Sequence, residues 1–143
     1  MYGNKSFLKI GLLDDASIVG LYKDSYELES CAFGFFQGTD RDGKAQTEVR
    51  GGAINAVIHG LPSDEIIKWA TSHRVFNDGV IVICDSNDMP LEKVNFKDAA
   101  CVEMEIDYSR SGESYITTKL TLQARKLQVG EIMLNNRWTG YNN

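Results

Sequence analysis

Two runs of strictly alternating apolar and polar residues near the end of the chain leave this sequence few possible folds. The first run places four apolar residues at every second position: Val102, Met104, Ile106 and Tyr108. Acidic or small polar residues stand between them: Glu103, Glu105, Asp107 and Ser109. A second run, residues 116–125, alternates in the same way. Because the side chains of a β-strand point to opposite faces in turn, each run predicts a strand with one buried face.

The sequence Arg-Ser-Gly-Glu-Ser, at residues 110–114 between the two runs, has the composition of a turn. The two strands are therefore expected to form one long antiparallel hairpin. On its polar face, the acidic row would lie beside a strand that carries Lys119 and Arg125. Opposite charges across a strand pair contribute about 0.2–1 kcal/mol each, which supports the register without dominating the stability.

Shorter patterns predict the remaining elements. Apolar runs indicate strands at five further places: residues 7–13, 26–35, 51–60, 80–84 and 91–96. In the second of these, the apolar positions change parity near Glu29 and Ser30, which predicts a β-bulge. Residues 62–73 show helical spacing instead, with Ser63 as N-cap and Trp69 on the apolar stripe. We predict a mainly β, single-domain antiparallel β-barrel of two packed sheets with one α-helix, spanning residues 1–143.

Residues 37–48 separate two predicted strands and contain no large apolar side chain. Hairpin loops usually have about 2–5 residues, and longer ones tend to be functional. This segment is therefore predicted to be a long extended loop with a role of its own.

Charge and hydropathy narrow the classes of partner. The 143-residue chain has a formal net charge of −5 and no long basic run, so nucleic-acid binding is disfavoured. No segment approaches the roughly 18 apolar residues that a membrane span needs, and no membrane insertion is expected. The N-terminal residues lack the apolar region of a secretory signal, which predicts synthesis in the cytoplasm without a signal peptide.

The sequence contains none of the common catalytic or cofactor-binding motifs, such as HExxH, GxxxxGK[ST], GxGxxG and GxSxG. Its three cysteines, Cys31, Cys84 and Cys101, are far apart in apolar runs, which predicts unpaired structural thiols. His59 and His73 are also expected to be structural. We therefore expect no catalytic residue, no metal, no cofactor and no enzyme activity.

Three features admit more than one interpretation. The carboxylate row at Glu103, Glu105 and Asp107 fits a solvated face, an interface with a basic neighbour, or the wall of a polar channel. Trp69 is interpreted as a core anchor rather than a ligand platform. Trp138 lies in a polar tail, where it either packs on the barrel or contacts another subunit.

Several segments, taken in order, match one family. Residues 30–40, SCAFGFFQGTD, join an aromatic-alternating strand to a Gln-x-Thr-Asp turn, and residues 49–55 read VRGGAIN. Further matching segments are the helix with Trp69, residues 96–102 (FKDAACV), Thr117-Thr118, Asn136 and Trp138. Together they resemble the type VI secretion system tube protein family (Hcp, also called TssD), in the form found in Bacteroidota.

The resemblance implies a structural protein whose protomers form homohexameric rings. The rings would stack into a tube inside a contractile sheath, with a spike protein at the tip. The tube would be expelled to the extracellular space or a target cell and could carry effectors. The long loop would reach a neighbouring subunit or ring. The subunit and ring contacts are expected at Thr39, Asp40, Arg41, Arg50, Glu103, Glu105, Lys119 and Trp138.

Two alternatives remain at this point. One is a small-ligand-binding barrel, in which Trp69, Phe33, Phe35 and Tyr108 would line an internal pocket. The other is a tube subunit of a related contractile injection or phage-tail-like system. Residues 11–25 are longer than the expected first hairpin, which leaves open a main tube subunit or a specialised paralogue.

Overall fold

A computed structural model describes residues 4–11, 25–36, 50–87, 89–110 and 115–135. Within these ranges the chain forms eight β-strands and one α-helix. Numbered along the chain, the elements are β1 (Lys5–Ile10), β2 (Tyr26–Phe36), β3 (Arg50–His59), α1 (Asp64–Thr71), β4 (Asn77–Cys84), β5 (Pro90–Ser109), β6 (Tyr115–Gln123), β7 (Lys126–Val129) and β8 (Ile132–Asn135).

Six of the strands close into an antiparallel barrel in the order β4-β1-β2-β3-β6-β5. Pairing between β4 and β5 closes it, with Ile81 opposite Val94. The β7–β8 hairpin continues the sheet outward from β5. This architecture confirms the predicted β-barrel with one helix, whereas the predicted long loop lies outside the described residues.

The strand boundaries both confirm and correct the sequence predictions. The register between β2 and β3 shifts between Leu28 and Ser30, which confirms the predicted bulge. The strands predicted separately at 91–96 and 102–109 are one 20-residue strand, β5. Asp98, at φ 51°, marks the place where the continuous strand changes partners. The alternation alone did not reveal that the chain stays extended through this residue.

Hairpin β7–β8 was not predicted, because each of its strands has only four residues. Gly130 adopts φ 60° in its turn, a backbone conformation that favours glycine. The pattern of a glycine between two short apolar-alternating runs was the available signal.

The barrel interior holds a continuous apolar core. Its largest fully buried side chains come from five of the six barrel strands and the helix, and include Leu8, Ile54, Ile66, Trp69, Ile81, Val94, Phe96, Leu120 and Leu122, while β2 contributes the buried Leu28. Gly79 lies opposite Phe96, and a Cβ at residue 79 would overlap the Phe96 ring and come within 2.6 Å of the Lys9 carbonyl oxygen. Packing therefore requires glycine at this position.

Helix α1 has eight residues, shorter than the predicted 62–73, because regular helical bonding begins after Pro62 and ends before Ser72. Ser63 is the N-cap as predicted, since its Oγ accepts a hydrogen bond from the Ile66 backbone N at 3.3 Å. Trp69 is 1% exposed and its Nε1 donates to the Ala99 carbonyl oxygen at 2.8 Å. The prediction that Trp69 anchors the helix on the barrel is confirmed.

Candidate subunit interface

One sheet of the barrel extends beyond the point where the barrel closes. Strand β5 pairs with β4 only as far as Ala99, whereas its pairing with β6 continues to Ser109 opposite Tyr115. The second half of β5, residues 100–109, therefore forms one margin of a four-stranded sheet, β2-β3-β6-β5. We call this sheet the assembly sheet.

The apolar side of the second half of β5 is uncovered. Ile106 is 47% and Tyr108 is 62% exposed, while Met104 is half-buried. The sequence predicted that this row would be buried, and that prediction is wrong for the described protomer. The physical reason is that β4 does not extend alongside these residues, so no described element packs on them. An exposed apolar row of this kind is a candidate for contact with another chain.

The polar side of the assembly sheet carries the predicted charged row. Glu105 lies directly opposite Lys119, and the Lys119 Nζ is 3.9 Å from Glu105 Oε2 and 3.4 Å from Asp107 Oδ2. Glu103 Oε1 accepts a hydrogen bond from Thr121 Oγ1 at 3.4 Å. Lys119 and Glu105 are exposed and Asp107 is half-exposed, so each pair contributes about 0–1 kcal/mol. The cross-strand pairing predicted for Lys119 is confirmed.

Arg125 does not join this row, contrary to the sequence prediction. Its Nη1 lies 3.3 Å from Asp98 Oδ2. Arg125 follows the end of β6, where the chain has turned toward β7, and its backbone N donates to the Lys97 carbonyl oxygen. The ion pair instead ties the bend of β5 to the β6–β7 connection.

A second polar cluster lies at one end of the assembly sheet and joins β2, β3 and β6. The Tyr115 hydroxyl donates to Glu29 Oε2, and Glu29 Oε1 lies 3.3 Å from His59 Nδ1. The hydrogen bond to the Glu29 carboxylate raises the pKa of Tyr115. The rings of His59 and Tyr115 meet edge to face at 5.7 Å. Sequence reasoning missed this cluster, because residues 29 and 115 are far apart in the chain. They come close only because β2 and β6 both lie beside β3.

The assembly sheet has a free edge on each side within the described residues. Strand β1 pairs with β2 only from Tyr26 to Leu28, so β2 from Ser30 onward pairs with β3 alone. On the other side, residues 103–109 of β5 pair with β6 alone. A row of backbone N–H and C=O groups without a strand partner is a template for pairing with another chain.

The structure brings together three of the predicted contact residues, Glu103, Glu105 and Lys119, on the polar side of the assembly sheet. Arg50 is the first residue of β3 and pairs with Phe36, the last residue of β2. The predicted long loop lies between these two residues. The other four, Thr39, Asp40, Arg41 and Trp138, lie outside the described residues.

The residues predicted to line a ligand pocket do not converge. Trp69 is buried against Phe96, with ring centroids 6.3 Å apart, while Tyr108 is exposed on the margin of the assembly sheet. Phe33 is half-buried against the core, and the Phe35 side chain lies outside the described part of the structure. The arrangement contradicts a shared pocket for Trp69 and Tyr108.

The described ranges contain no group of three or more His, Cys, Asp or Glu side chains placed to hold a metal ion. None of their helices is long and apolar enough to cross a membrane. None of the three cysteines forms a disulfide bond, and burial raises the pKa of the Cys31 and Cys101 thiols.

Within the described residues, the closed barrel carries a sheet with two free edges and an uncovered apolar row, and edges of this kind are suited to pairing with another chain. The sequence profile of the family described as hemolysin coregulated protein Hcp (TssD) matches residues 2–139. The chain therefore belongs to the Hcp (TssD) family. This confirms the family predicted from the sequence, and with it the role of a tube subunit.

Solved structures share the fold. Hcp1 from Flavobacterium johnsoniae superposes with a TM-score of 0.76 at 21% identity, covering 92% of this chain and 98% of that one. Hcp1 from Salmonella typhimurium superposes with a TM-score of 0.69 at 18% identity, covering 89% of this chain and 85% of that one. A chain of the sheath–tube complex of an extracellular contractile injection system, PVC, superposes with a TM-score of 0.52 at 14% identity. The match covers 92% of this chain and 88% of that one. A search of curated protein sequences finds no match.

Proposed function

We propose that this chain forms homohexameric rings in which the β5 edge of one protomer pairs with the β2 edge of the next. The observation that carries this proposal is the position of the two free edges, at opposite margins of the same four-stranded sheet. An interface between two different surfaces of one chain repeats from copy to copy and closes into a ring when the rotation allows.

The strand directions suit this junction. Every pairing within the assembly sheet is antiparallel, so β2 and β5, separated by two strands, run in opposite directions. Joining β5 to the β2 of the next copy therefore continues the antiparallel pattern without a break. Each protomer would contribute four strands to one continuous circular sheet, which leaves no free edge.

The two sides of that circular sheet then have different roles. The apolar row of Ile106 and Tyr108 lies on the side of the barrel core, where the neighbouring barrel covers it. The polar side, with Glu103, Glu105 and Lys119, lines the lumen of the ring. This assigns the carboxylate row to a channel wall, one of the three interpretations that the sequence left open.

The wider role follows from the family. We propose that the rings stack into the inner tube of a type VI secretion system, enclosed by a contractile sheath and capped by a spike protein. The tube would carry effectors and leave the cytoplasm through the apparatus. We assign it no enzyme activity, and its single domain spans residues 1–143.

Substitution on the apolar row tests the ring. Ile106→Glu places a charge in the proposed interface, whereas Leu61→Glu places one at a 66% exposed apolar position just beyond the end of β3, outside the paired strands of the assembly sheet. We expect Ile106→Glu to give folded monomers and Leu61→Glu to give rings, measured by light scattering and circular dichroism. Rings formed by Ile106→Glu, or monomers formed by both variants, would refute the assignment of this interface.

A further inference from the structure

The two free edges of the assembly sheet have the same length. Within the described residues, the β5 edge runs from Glu103 to Ser109, where β6 is its only strand partner. The β2 edge runs from Ser30 to Phe36, where β3 is its only strand partner. Each edge therefore offers seven residues to a neighbouring copy. The proposed ring joins these edges without fixing which residue lies opposite which.

The two sides of the sheet restrict the pairing. On the β2 edge, Cys31 and Phe33 pack against the barrel core, whereas the residues that alternate with them are exposed. Successive residues of a strand point to opposite sides, so a continuous sheet places the core side of one edge opposite the core side of the other. Three registers satisfy this condition. They differ in the residue of the next copy that lies opposite Cys31: Met104, Ile106 or Tyr108.

The backbone hydrogen bonds agree with these registers. Four directly opposed residues form one row across the assembly sheet: Ser30, Val57, Lys119 and Glu105. In an antiparallel sheet, a residue that is hydrogen-bonded to one neighbouring strand is not hydrogen-bonded to the other. The three pairings along the row therefore alternate, and the outer sides of Ser30 and Glu105 are in the same state. Each of the three registers joins two outer sides that match in this way.

The geometry of a closed barrel selects one register. At the junction, the row that ends at Ser30 continues to Glu105, Asp107 or Ser109 of the next copy, a shift along β5 of zero, two or four residues per protomer. With a rise of about 3.3 Å per residue and a strand spacing of about 4.8 Å, these shifts tilt the strands by about 0°, 19° and 35°. Closed barrels typically have tilts of about 35–45°, which favours the shift of four residues.

Coverage of the edges selects the same register. A shift of four residues pairs all seven residues of both edges, from Glu103 opposite Phe36 to Ser109 opposite Ser30. A shift of two residues leaves two residues of each edge without a strand partner, and the unshifted register leaves four. Backbone groups without partners at a buried junction are costly, and a strand edge that stays open is a template for pairing with further chains.

We propose that β5 of one protomer pairs with β2 of the next over their full free edges, with Tyr108 opposite Cys31. This inference rests on the proposed ring and identifies the residue pairs that hold it together. On the core side, Ile106 lies opposite Phe33 of the next copy. Phe33 is half-buried in the protomer, and its ring covers the apolar row of the adjoining β5.

The same register places small residues beside the carboxylates of the lumen. Asp107 lies opposite Ala32 of the next copy, and Glu105 lies opposite Gly34. Both of these small residues are exposed on the polar side of the sheet. Because neither has a long side chain, neither covers the carboxylate opposite it. The acidic row therefore stays accessible from the channel at every junction.

The native thiol of Cys31 makes the register measurable. Tyr108→Cys, Ile106→Cys and Met104→Cys each add a thiol that only one of the three registers places opposite Cys31. Directly opposed residues have Cα atoms about 4.5–5.5 Å apart, which suits a disulfide, whereas diagonal neighbours are about 7–8 Å apart. Under mild oxidation, we expect Tyr108→Cys rings to form disulfide-linked multimers about tenfold faster than the other two variants. Faster linkage of Ile106→Cys or Met104→Cys would overturn the register.

Tyr108→Cys/Cys31→Ser is the control for this measurement. It should form no linked multimers, because the two remaining native cysteines, Cys84 and Cys101, are buried. Linkage that persists in this control would show that Cys31 is not the partner and would contradict the register.

A second set of variants leaves the apolar row intact. In a Cys31→Ser background, Ala32→Cys is combined with Asp107→Cys, Glu105→Cys or Glu103→Cys on the lumen side. Only the pair Ala32→Cys/Asp107→Cys is directly opposed in the proposed register, so we expect linked multimers from this pair. Faster linkage of another pair, or no linkage of any pair in intact rings, would overturn the proposal.

The width of the channel tests the register on the unmodified chain. Six four-stranded sheets tilted by about 35° close at a diameter of about 45 Å between opposite backbones, against about 37 Å without tilt. End-on averages from cryo-electron microscopy measure this distance. Rings with the narrower channel would refute the register and leave the proposed ring standing. A chain that forms no rings would refute the proposed ring itself, and the register with it.

Discussion

Trp69 is the clearest single point at which the stability of the barrel can be tested. Its indole is 1% exposed, stacks on Phe96 with an interplanar angle of 16°, and donates a hydrogen bond to the buried Ala99 carbonyl. Trp69→Ala removes the packing and the hydrogen bond and leaves a cavity, which costs about 3–5 kcal/mol. Trp69→Phe keeps most of the packing but leaves the Ala99 carbonyl without its donor, which costs about 1–3 kcal/mol.

Urea denaturation followed by circular dichroism measures both costs. The variants are compared in the Ile106→Glu background, because ring dissociation would otherwise add a concentration-dependent term to the free energy of unfolding. Lys68→Ala, on the exposed side of the same helix, is the control and should change stability by less than about 0.5 kcal/mol. A Trp69→Ala variant as stable as its parent would refute the anchoring of α1 on the barrel. Equal losses for Trp69→Ala and Trp69→Phe would show that the hydrogen bond, rather than packing, dominates.

Three other predictions concern the core, the thiols and the long loop. Gly79→Ala should lower the stability by about 1–3 kcal/mol, because the added methyl group overlaps Phe96; an unchanged melting temperature would contradict this close packing. Burial raises the pKa of the Cys101 thiol above its ordinary 9.0, so the folded state loses stability as the pH increases beyond 9. A melting temperature that increases as the pH is raised from 9 upward would contradict this. Charge reversal at Asp40 and Arg41 should leave rings intact but shorten tubes in electron micrographs, since loop contacts between rings would be partly electrostatic; loss of the ring itself would refute that division.

The strands and the helix were largely predictable from the sequence, because burial imposes a period on the side chains. The bulge near Ser30 left a visible change of parity, and the N-cap Ser63 stands before acidic residues and an apolar stripe. Each of these signals depends only on residues that lie within a few positions of one another in the sequence. The short β7–β8 hairpin fell below the length at which alternation can be recognised.

The interface could be predicted only in part. Alternation at Ile106 and Tyr108 indicates an apolar face, but a sequence does not state whether that face meets its own barrel or another copy of the chain. The answer depends on where β4 stops pairing with β5, which is a property of the closed barrel. For the same reason, the Glu29–Tyr115 contact and the two free edges of the assembly sheet appear only when the strand order is known.

The mass of the purified chain in solution tests the central claim most directly. Size-exclusion chromatography with light scattering should give a single species of about six times the 16.0 kDa chain, as the proposed homohexameric ring requires. Negative-stain images of that peak should show rings with a central channel. A stable monomer at micromolar concentration, with the free edges and the apolar row still exposed, would contradict the account.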